Sequence, residues 1–593
     1  MPFLKKTIYA FILLLIPFGV RGQTSVKSSI IDVETKQAIA YCNIFNQATQ
    51  SGVISNSEGD FSIRIQSLDD VIHISFLGYE TRHIQARKIL ELKSISLKPK
   101  QYQLQEVEIY SDNDYLYDIL IQCRKSIRKK NANYVSKAFF SLNTSTKNQA
   151  LESLECYYNA YQSQGRLKSL MLKNGKLALL PLDSRFFLNL NTTQSFSKIN
   201  FIEKNTSFPA IILQFRKREM KRRFELNLDY CDSELYKISF NPKQNPQETF
   251  NGEIWIDKKS MMIKKIRLWI ENTRQHPFMA FGNDSIEHIS INLNEEFRDN
   301  DKQLLINHLV LDLQINYISR RDSVSNSQLP FLKRNIEINS VLYCYDYNKP
   351  FILPYFEYDN GLSDYRKLSI IPYNQSFWNY RKLLLTKDQK DKLGIMSKQG
   401  IQINTTDQEY GIDFMQENLK KHQWIDKGHT FFENQAYLFW DKDKRIRSEN
   451  IGIQDSKFSH QSSIQVNKYR FYIQILLDIN ETDDIFDCQS YSVFDQSKSF
   501  YYLEENEYSN AFLNIYFDIC EIERQKMQEQ LNIKNQSLAQ IDSIYQQTLL
   551  NMETITHQYK KEVQHGKNFI MLKKWNAYVK ENLDIDNIEM FSE

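Results

Sequence analysis

The sequence predicts a mainly β protein with helices confined to a few segments. It contains 34 Tyr and 37 Phe but only 16 Gly and 12 Pro, a composition that favours long strands with buried faces. Apolar and polar residues alternate in residues 61–76 and strand patterns dominate residues 136–348, whereas the C-terminal part repeats with a helical period. With 593 residues and 41% hydrophobic content, the chain can form several cores, so we expect several domains.

The first 22 residues have the pattern of a secretory signal peptide. Lys5 and Lys6 precede an apolar run over residues 8–20, which is too short to span a bilayer as a helix. We expect cleavage after residue 22. No cysteine directly follows the run, so a lipoprotein anchor is not expected here, and no later segment approaches the roughly 18 apolar residues of a membrane helix. The mature chain is therefore predicted to be periplasmic or associated with the outer membrane.

The segment after the signal peptide is predicted to form short, half-buried strands. Phe61, Ile63 and Ile65 alternate with polar residues, and residues 72–76 alternate in the same way. Residues 56–59 end in a glycine that is free to adopt positive φ, which indicates a turn into the first of these strands.

Three runs in this segment carry a family resemblance. They are Ile31-Asp32 with TKQAIAY at residues 35–41, GVISNSEGDF at residues 52–61, and ISFLGY at residues 74–79. The runs resemble the carboxypeptidase-regulatory-like, transthyretin-type β-sandwich of Bacteroidota envelope proteins, and residues 104–109 are similar to the strand that follows it. Ser28 stands where the family usually has glycine. The resemblance implies a β-sandwich and an envelope location, but no reaction.

Residues 114–131 are predicted to form a connector helix, because apolar residues recur every three or four positions. Its end is basic, with Arg124, Lys125, Arg128, Lys129 and Lys130. These side chains either form a solvated helix end that complements the helix dipole, or contact phosphate groups of lipopolysaccharide.

Residues 136–348 are predicted to form antiparallel strands. GEIWIDKKS at residues 252–260 and IKKIRL at residues 263–268 indicate a hairpin with its turn at residues 258–261. The hairpin resembles those of half-barrel lipoprotein-carrier proteins. That resemblance implies a concave face that holds an acyl chain or a partner peptide; the alternative is an ordinary curved sheet covered by its own helix.

The most basic run covers residues 216–223, RKREMKRR. It lies between strand-like residues 211–213 and 224–226, so we expect a solvated hairpin tip, with binding of an anionic envelope polymer as the functional alternative. Nucleic-acid binding is not expected, because the run lacks interleaved aromatic residues and the whole chain has a formal net charge of only +3.

Two features between residues 350 and 500 suggest ligands. Aromatic residues are frequent in residues 364–378, which either form a sugar-stacking surface or belong to a core. An acidic cluster indicates a possible calcium site, but it lacks the order and the glycine of a calcium loop, so we expect no metal. The cluster consists of Asp478, Asn480, Glu481, Asp483, Asp484 and Asp487.

The C-terminal part is predicted to be a helical hairpin. Apolar and aromatic residues that recur every seven positions form a stripe, which indicates an amphipathic helix that ends near Gly566, before a second helix over residues 569–579. Residues 511–522 are apolar nearly all round, so we expect this segment to be buried and its polar groups to be paired, with Arg524 as a candidate partner. The stripe consists of Leu531, Leu538, Tyr545, Met552 and Tyr559.

No catalytic, cofactor or metal residue is predicted. The chain has no H-E-x-x-H, G-x-S-x-G or phosphate-loop motif. Glu562 and His565 form half of a di-iron pattern, but the other E-x-x-H, at Glu80, lies in the β-sandwich segment, and His565 is interpreted as a helix-end cation. Glu295 and Glu296 would point to opposite faces of a strand.

The seven cysteines are widely spaced and include no C-x-x-C pair, so we expect buried free thiols rather than a disulfide framework. They are Cys42, Cys123, Cys156, Cys231, Cys344, Cys488 and Cys520.

We therefore predict an exported, non-enzymatic binding or scaffold protein of the cell envelope, accessory to an outer-membrane transport or assembly machine. An envelope protein is the expected partner, with a lipid or glycan as a further possibility. A carrier of a hydrophobic ligand and an unrecognised hydrolase are the alternatives. The predicted segments are a signal peptide (1–22), a carboxypeptidase-regulatory-like β-sandwich (23–110), a connector helix (111–135), a large antiparallel β region that is open or half-barrel (136–348), a mixed β region (349–504) and a helical hairpin (505–593).

Overall fold

The computed structural model contains two compact units, which are described in turn. The first contains the described residues from 24 to 100, and the second contains most of the described residues from 114 to 591. The predicted signal peptide and residues 104–109 lie outside the described residues. The structure describes residues 24–49, 51–100, 114–147, 149–180, 192–204, 207–280, 284–298, 303–319, 332–359, 362–368, 370–372, 374, 377–378, 386–387, 389, 391, 395–396, 401–403, 437–448, 451, 469–482, 485–503 and 506–591.

The N-terminal part of the first unit is a β-sandwich, as predicted. One sheet has the order β4-β1-β7 and the other β3-β2-β5-β6, and alternate apolar residues of both sheets form a shared core. Its elements are β1 (Thr24–Asp32), β2 (Asn43–Asn46), β3 (Ser51–Ile54), β4 (Asp60–Ile65), β5 (Val71–Ser75), β6 (Arg82–Gln85), α1 (Ala86–Glu91) and β7 (Ser94–Leu97).

The turn before β4 depends on Gly59, as the sequence predicts. Gly59 has a φ of 80°, and a Cβ atom there would lie 2.5 Å from the carbonyl oxygen of Ile30. The Asn56 side-chain oxygen accepts hydrogen bonds from the backbone N–H groups of Glu58 and Asp60. Ser28, which replaces the family glycine, lies within β1 opposite Phe61.

The second unit is built on an eleven-stranded sheet with the order β11-β12-β13-β14-β15-β16-β17-β8-β9-β10-β18. Strands β12 to β17 are antiparallel neighbours in chain order, and β17 then pairs antiparallel with β8. The strands are β8 (Asn133–Thr146), β9 (Gln149–Ser163), β10 (Arg166–Leu179), β11 (Phe224–Cys231), β12 (Leu235–Pro242), β13 (Asn251–Asp257), β14 (Ile263–Thr273), β15 (Ser285–Arg298), β16 (Leu305–Ser319), β17 (Leu332–Tyr345) and β18 (Ile401–Ile403).

The predicted hairpin is formed by β13 and β14. Its turn is closed by Asp257, whose carboxylate accepts hydrogen bonds from the backbone N–H and the hydroxyl of Ser260. Among the described residues, β11 and β18 are the two ends of the sheet and do not pair with each other. The predicted antiparallel region is therefore an open sheet.

One face of this sheet, here called the inner face, is covered by helix and loop. It carries an apolar row in which Leu142, Leu154, Leu268, Leu293 and Leu311 lie on neighbouring strands. The cover is formed by α2 (Asp114–Arg128), α3 (Thr192–Lys198), a 3-10 turn (Ile212–Gln214) and α4 (Lys217–Arg223). The predicted connector helix is thus confirmed as a helix, and it packs on the sheet.

Residues 211–223 correct one prediction. The strand-like residues 211–213 enter the 3-10 turn and are buried, and the basic run after them forms α4, not a hairpin tip. A short apolar run does not distinguish a strand from a helical turn. Met220 supplies the apolar side of α4, because it is fully buried against the inner-face core.

A second, smaller sheet lies in the C-terminal part of this unit, with the order β19-β22-β21. Its neighbours β20 and β23 form a two-stranded sheet. These elements lie in the predicted mixed β region. They are α5 (Asp364–Leu368), β19 (Tyr437–Phe439), β20 (Tyr469–Arg470), β21 (Ile473–Thr482), β22 (Ile485–Asp495) and β23 (Phe500–Tyr501).

The C-terminal residues form helices, but the predicted single stripe is interrupted. The first helix ends at Leu531, and Ser537 begins the next by accepting a hydrogen bond from the backbone N–H of Gln540. Leu531 and Leu538 therefore lie on different helices. The predicted end at Gly566 is confirmed, since Gly566 has a φ of 83°. The helices are α6 (Ser509–Leu531), α7 (Leu538–Val563), α8 (Phe569–Leu583) and α9 (Asn587–Met590).

The buried polar groups of α6 are paired, as expected. Glu521 accepts hydrogen bonds from Arg524, the predicted partner. Asp518 instead accepts from the Trp440 indole, from Arg445 and from Asn587. No helix within the described ranges is long and apolar enough to cross a membrane.

Candidate interaction surface

The sequence predicted either that a concave face of the antiparallel sheet binds an acyl chain or a partner peptide, or that the sheet is covered by its own helix. The apolar side chains of the inner face pack directly against α2, α3 and residues 199–202 and 208–220. A cavity of about 10 Å³ remains, lined in part by Phe208, Phe250 and Leu268. That volume corresponds to about one water molecule. At this place the described part of the inner face is packed as a core, as the helix-covered alternative predicts.

Two carboxyl groups are buried in the inner face. Glu152 on β9 accepts a hydrogen bond from the Thr144 hydroxyl at 3.0 Å, and burial, which outweighs this bond, raises its pKa to about 8. Burial also raises the pKa of Glu295 on β15 well above its usual value. Four strand spacings separate β9 from β15, which corresponds to about 19 Å. The two groups are too far apart to act as an acid–base pair on one bond.

Glu296 lies on the opposite face from Glu295, as predicted. It pairs with Lys265 on β14 at 2.7 Å, and His308 lies directly opposite it on β16. Burial disfavours ionisation of Glu296, but Lys265 and then His308 outweigh burial and lower its pKa. This arrangement neutralises charge within the protein.

The strongest charged feature is a surface formed by residues 124–130 of α2 and its C-terminal end together with residues 216–223 at α4. We call it the basic surface. The two runs contain eleven basic residues and one acidic residue, so they carry a formal charge of +10, whereas the whole chain carries +3. The rest of the chain is therefore net acidic.

Direct contacts join the two helical segments that carry these runs. The Arg124 guanidinium donates a hydrogen bond to the carbonyl oxygen of Phe215 at 2.7 Å, immediately before α4. Lys217 forms an ion pair with Asp118, and Lys221 forms one with Asp114. These contacts fix α4 beside α2, so two runs about ninety residues apart in the sequence become one surface.

The charges of the basic surface act on each other. Burial, followed by the positive charges of Arg128 and Arg216, lowers the pKa of Arg124. Glu219 is the acidic residue of the two runs; a hydrogen bond from the backbone N–H of Arg216 lowers its pKa, and neighbouring cations, first Lys204, add to this. Arg128 of the first run and Arg216 of the second therefore both lie close enough to Arg124 to disfavour its charge.

Several arginines of the basic surface point to solvent. Arg128, Arg216, Arg218 and Arg222 are exposed, and none of the four forms an ion pair within the part of the chain that the structure describes. The sequence identified both runs but could not show that they adjoin.

The N-terminal β-sandwich also has a recognisable architecture, with the turn at Gly59 and the two small sheets described above. Residues 26–109 match the CarboxypepD_reg-like domain family. The match covers the β-sandwich.

Comparison with solved structures gives matches of low sequence identity and low TM-score. A DUF1329 family protein from Desulfovibrio piger shares 11% identity over 42% of this chain and 93% of its own, with a TM-score of 0.16. A putative outer membrane lipoprotein-sorting protein domain from Vibrio parahaemolyticus shares 10% over 43% and 96%, with a TM-score of 0.18. A LolA superfamily protein from Nitrosomonas europaea shares 9% over 39% and 92%, with a TM-score of 0.16. No significant match was found among curated proteins.

The CarboxypepD_reg-like domain contains one half of the di-iron pattern considered from the sequence. Its histidine, His83 on β6, lies opposite His73 on β5, with ring centroids 4.4 Å apart. The other half, Glu562 and His565, belongs to the second unit, where Glu562 accepts a hydrogen bond from the Trp575 indole. Within the described ranges, no three potential ligands form a metal-binding group.

The acidic cluster considered for calcium serves a different purpose. Asp478 on β21 is buried and forms an ion pair with the equally buried Lys173 of β10 at 2.5 Å. Lys173 also donates to the carbonyl oxygen of Ile479, and Asn480 donates to Asp478. Asp483 and Asp484 lie outside the described residues. A lysine ammonium thus neutralises the carboxylate that a cation would need.

The aromatic stretch at residues 364–378 belongs to a core where it is described. Tyr365, Phe377 and Trp378 are each at most 3% exposed. Tyr157 of β9 packs edge-on against both Phe377 and Trp378. These rings therefore offer no stacking surface for a sugar.

The cysteine prediction is confirmed. All seven are free thiols; six are buried, and Cys231 is partly exposed.

Proposed function

We propose that this chain is an exported, non-enzymatic binding or scaffold protein of the bacterial cell envelope. In this proposal it acts at the periplasmic side of the outer membrane, as an accessory to a transport or assembly machine. The CarboxypepD_reg-like domain supports an envelope role for the N-terminal part.

The observation that carries the proposal is the filled inner face of the eleven-stranded sheet. An open groove would indicate an internal ligand, but here α2, α3 and residues 199–202 and 208–220 occupy the face. Other molecules should therefore bind the outer surface. On that surface the two basic runs carry a formal charge of +10, against +3 for the whole chain.

The non-enzymatic part of the proposal is supported by the placement of the acidic groups. Glu152 and Glu295 are both about 1% exposed and lie in an apolar core, so substrate has no path to them in this conformation. Glu296 and Asp478 are engaged by lysines. A hydrolase of the glycosidase type needs two carboxyl groups that its substrate can reach, and these four are enclosed or paired.

The full-length tagged protein should be purified gently from its native envelope and weighed by native mass spectrometry. We expect a stoichiometric protein complex that is absent from a parallel preparation of an unrelated tagged exported protein. A solitary chain would contradict the scaffold proposal. A bound small mass that dissociates on gentle activation would instead favour the carrier alternative.

A further inference from the structure

We infer that the basic surface docks on a membrane surface that displays lipid phosphates. The inference rests on the proposed function, because it names the envelope component that this outer surface contacts. It concerns residues 124–130 and 216–223 together, which the fold brings side by side.

The choice of a phosphate follows from the type of cation. Six of the eleven basic residues are arginines, whose planar guanidinium presents a fork of donors that matches two oxygens of a phosphate. The four arginines that are exposed and form no ion pair among the described residues, Arg128, Arg216, Arg218 and Arg222, can each make such a contact. Lys217 and Lys221 are held by aspartates and mainly keep the two helices together.

The choice of a lipid surface over a nucleic acid or a glycan follows from the missing stacking platform. Phe215, which directly precedes the second run, is buried, and the side chains of Lys204 and Arg223 lie over its ring at about 5 Å from the centroid. Single-stranded nucleic acids and sugars are bound largely by stacking on exposed rings. A charged surface without exposed rings suits a charged lipid layer better.

The expected strength follows from the number of free charges. A basic side chain close to an anionic membrane contributes roughly a fivefold gain in affinity, and this falls off within a Debye length of about 10 Å at 0.1 M salt. Removing four such charges should therefore weaken binding on the order of several hundredfold.

The test uses the full-length protein and vesicles of phosphatidylcholine with or without phosphatidylglycerol, measured by co-sedimentation at low and high salt. The variant carries Arg128→Gln, Arg216→Gln, Arg218→Gln and Arg222→Gln. We expect the native protein to bind only the vesicles with phosphatidylglycerol and to lose this binding at high salt. The variant should bind these vesicles with an affinity lower by a factor on the order of several hundred.

A matched control carries the same charge change on other exposed lysines of the second unit, at Lys444, Lys534, Lys573 and Lys574. It should bind the vesicles within a few fold of the native protein. Equal loss in the control would overturn the inference, because net charge would then explain binding. Circular dichroism of both variants should be unchanged, since all eight side chains are exposed.

Further arms separate the sources of negative charge. Soluble glycerophosphate or polyphosphate should compete weakly with vesicles; strong binding to polyphosphate with none to vesicles would assign the surface to a polymer. Loss of the native protein complex in the four-arginine variant, without any vesicle binding by the native protein, would assign it to an acidic protein. A chain that binds vesicles but purifies alone would refute the scaffold proposal and leave the membrane contact standing.

Discussion

Glu152→Gln should stabilise the protein at neutral pH, because the native carboxyl must hold a proton to stay in the core. Its folded pKa is about 8, against 4.5 for an ordinary glutamate. The folded state therefore binds this proton more tightly than the unfolded chain, and the resulting stability is complete below about pH 4.5 and is lost as the pH rises towards 8. At pH 7 the loss in the free energy of unfolding is about 3 kcal/mol, and at pH 5 it is about 1 kcal/mol.

A glutamine in the same place carries no such proton, and its other effects are the same at both pH values. The apparent Tm of Glu152→Gln relative to the native protein should thus be roughly 2–3 °C more favourable at pH 7 than at pH 5, because a unit of this size has an unfolding entropy of about 1 kcal/mol/K. Differential scanning fluorimetry across this range measures it. Glu337→Gln, at an exposed position of β17, is the control and should show no such difference. A Tm difference independent of pH would refute the reasoning about Glu152.

Three further substitutions test packing and charge placement. Lys173→Met leaves Asp478 buried without its cation and should lower the free energy of unfolding by about 3–5 kcal/mol, measured by thermal unfolding. The double variant Lys173→Met with Asp478→Leu should recover most of this loss. No recovery would show that the unpaired charge is not the cause. Asp518→Ala removes the acceptor of three buried donors and should cost a similar amount, seen as faster hydrogen exchange in α9; unchanged exchange would contradict this. Gly59→Ala should destabilise the β-sandwich by about 2 kcal/mol or more, measured by limited proteolysis, whereas Gly78→Ala, with positive φ but open space around it, should cost less; equal effects would show that the contact with the neighbouring carbonyl is unimportant.

The parts of the fold that the sequence predicted are those fixed by neighbouring residues. The β13–β14 hairpin follows from apolar–polar alternation before a short turn and, apart from one irregularity, after it, and the turn at Gly59 follows from one residue type. The burial of Glu521 beside Arg524 could be inferred because the two residues are one helical turn apart. In each case the physical cause lies within about twenty residues.

The parts that the sequence could not predict depend on distant residues. Lys173 and Asp478 are separated by more than three hundred positions, so the lysine that neutralises the acidic cluster could not be identified from the cluster. Residues 211–213 have the composition of a strand but enter a 3-10 turn, and their apolar side chains are buried against the inner face of the sheet. The basic surface needed both the helix at residues 217–223 and its contact with α2.

The pairing of β17 with β8 joins two strands that are synthesised at very different times. Thr146 pairs with Ile336 and Lys137 with Tyr345, so the partners are roughly two hundred residues apart. At typical elongation rates the free edge of β8 waits about 10–40 s for its neighbour. An unpaired edge is a template for pairing with other chains. A ribosome that stops before residue 332 therefore releases a chain whose β8 edge stays open, and such fragments should aggregate where the complete chain does not.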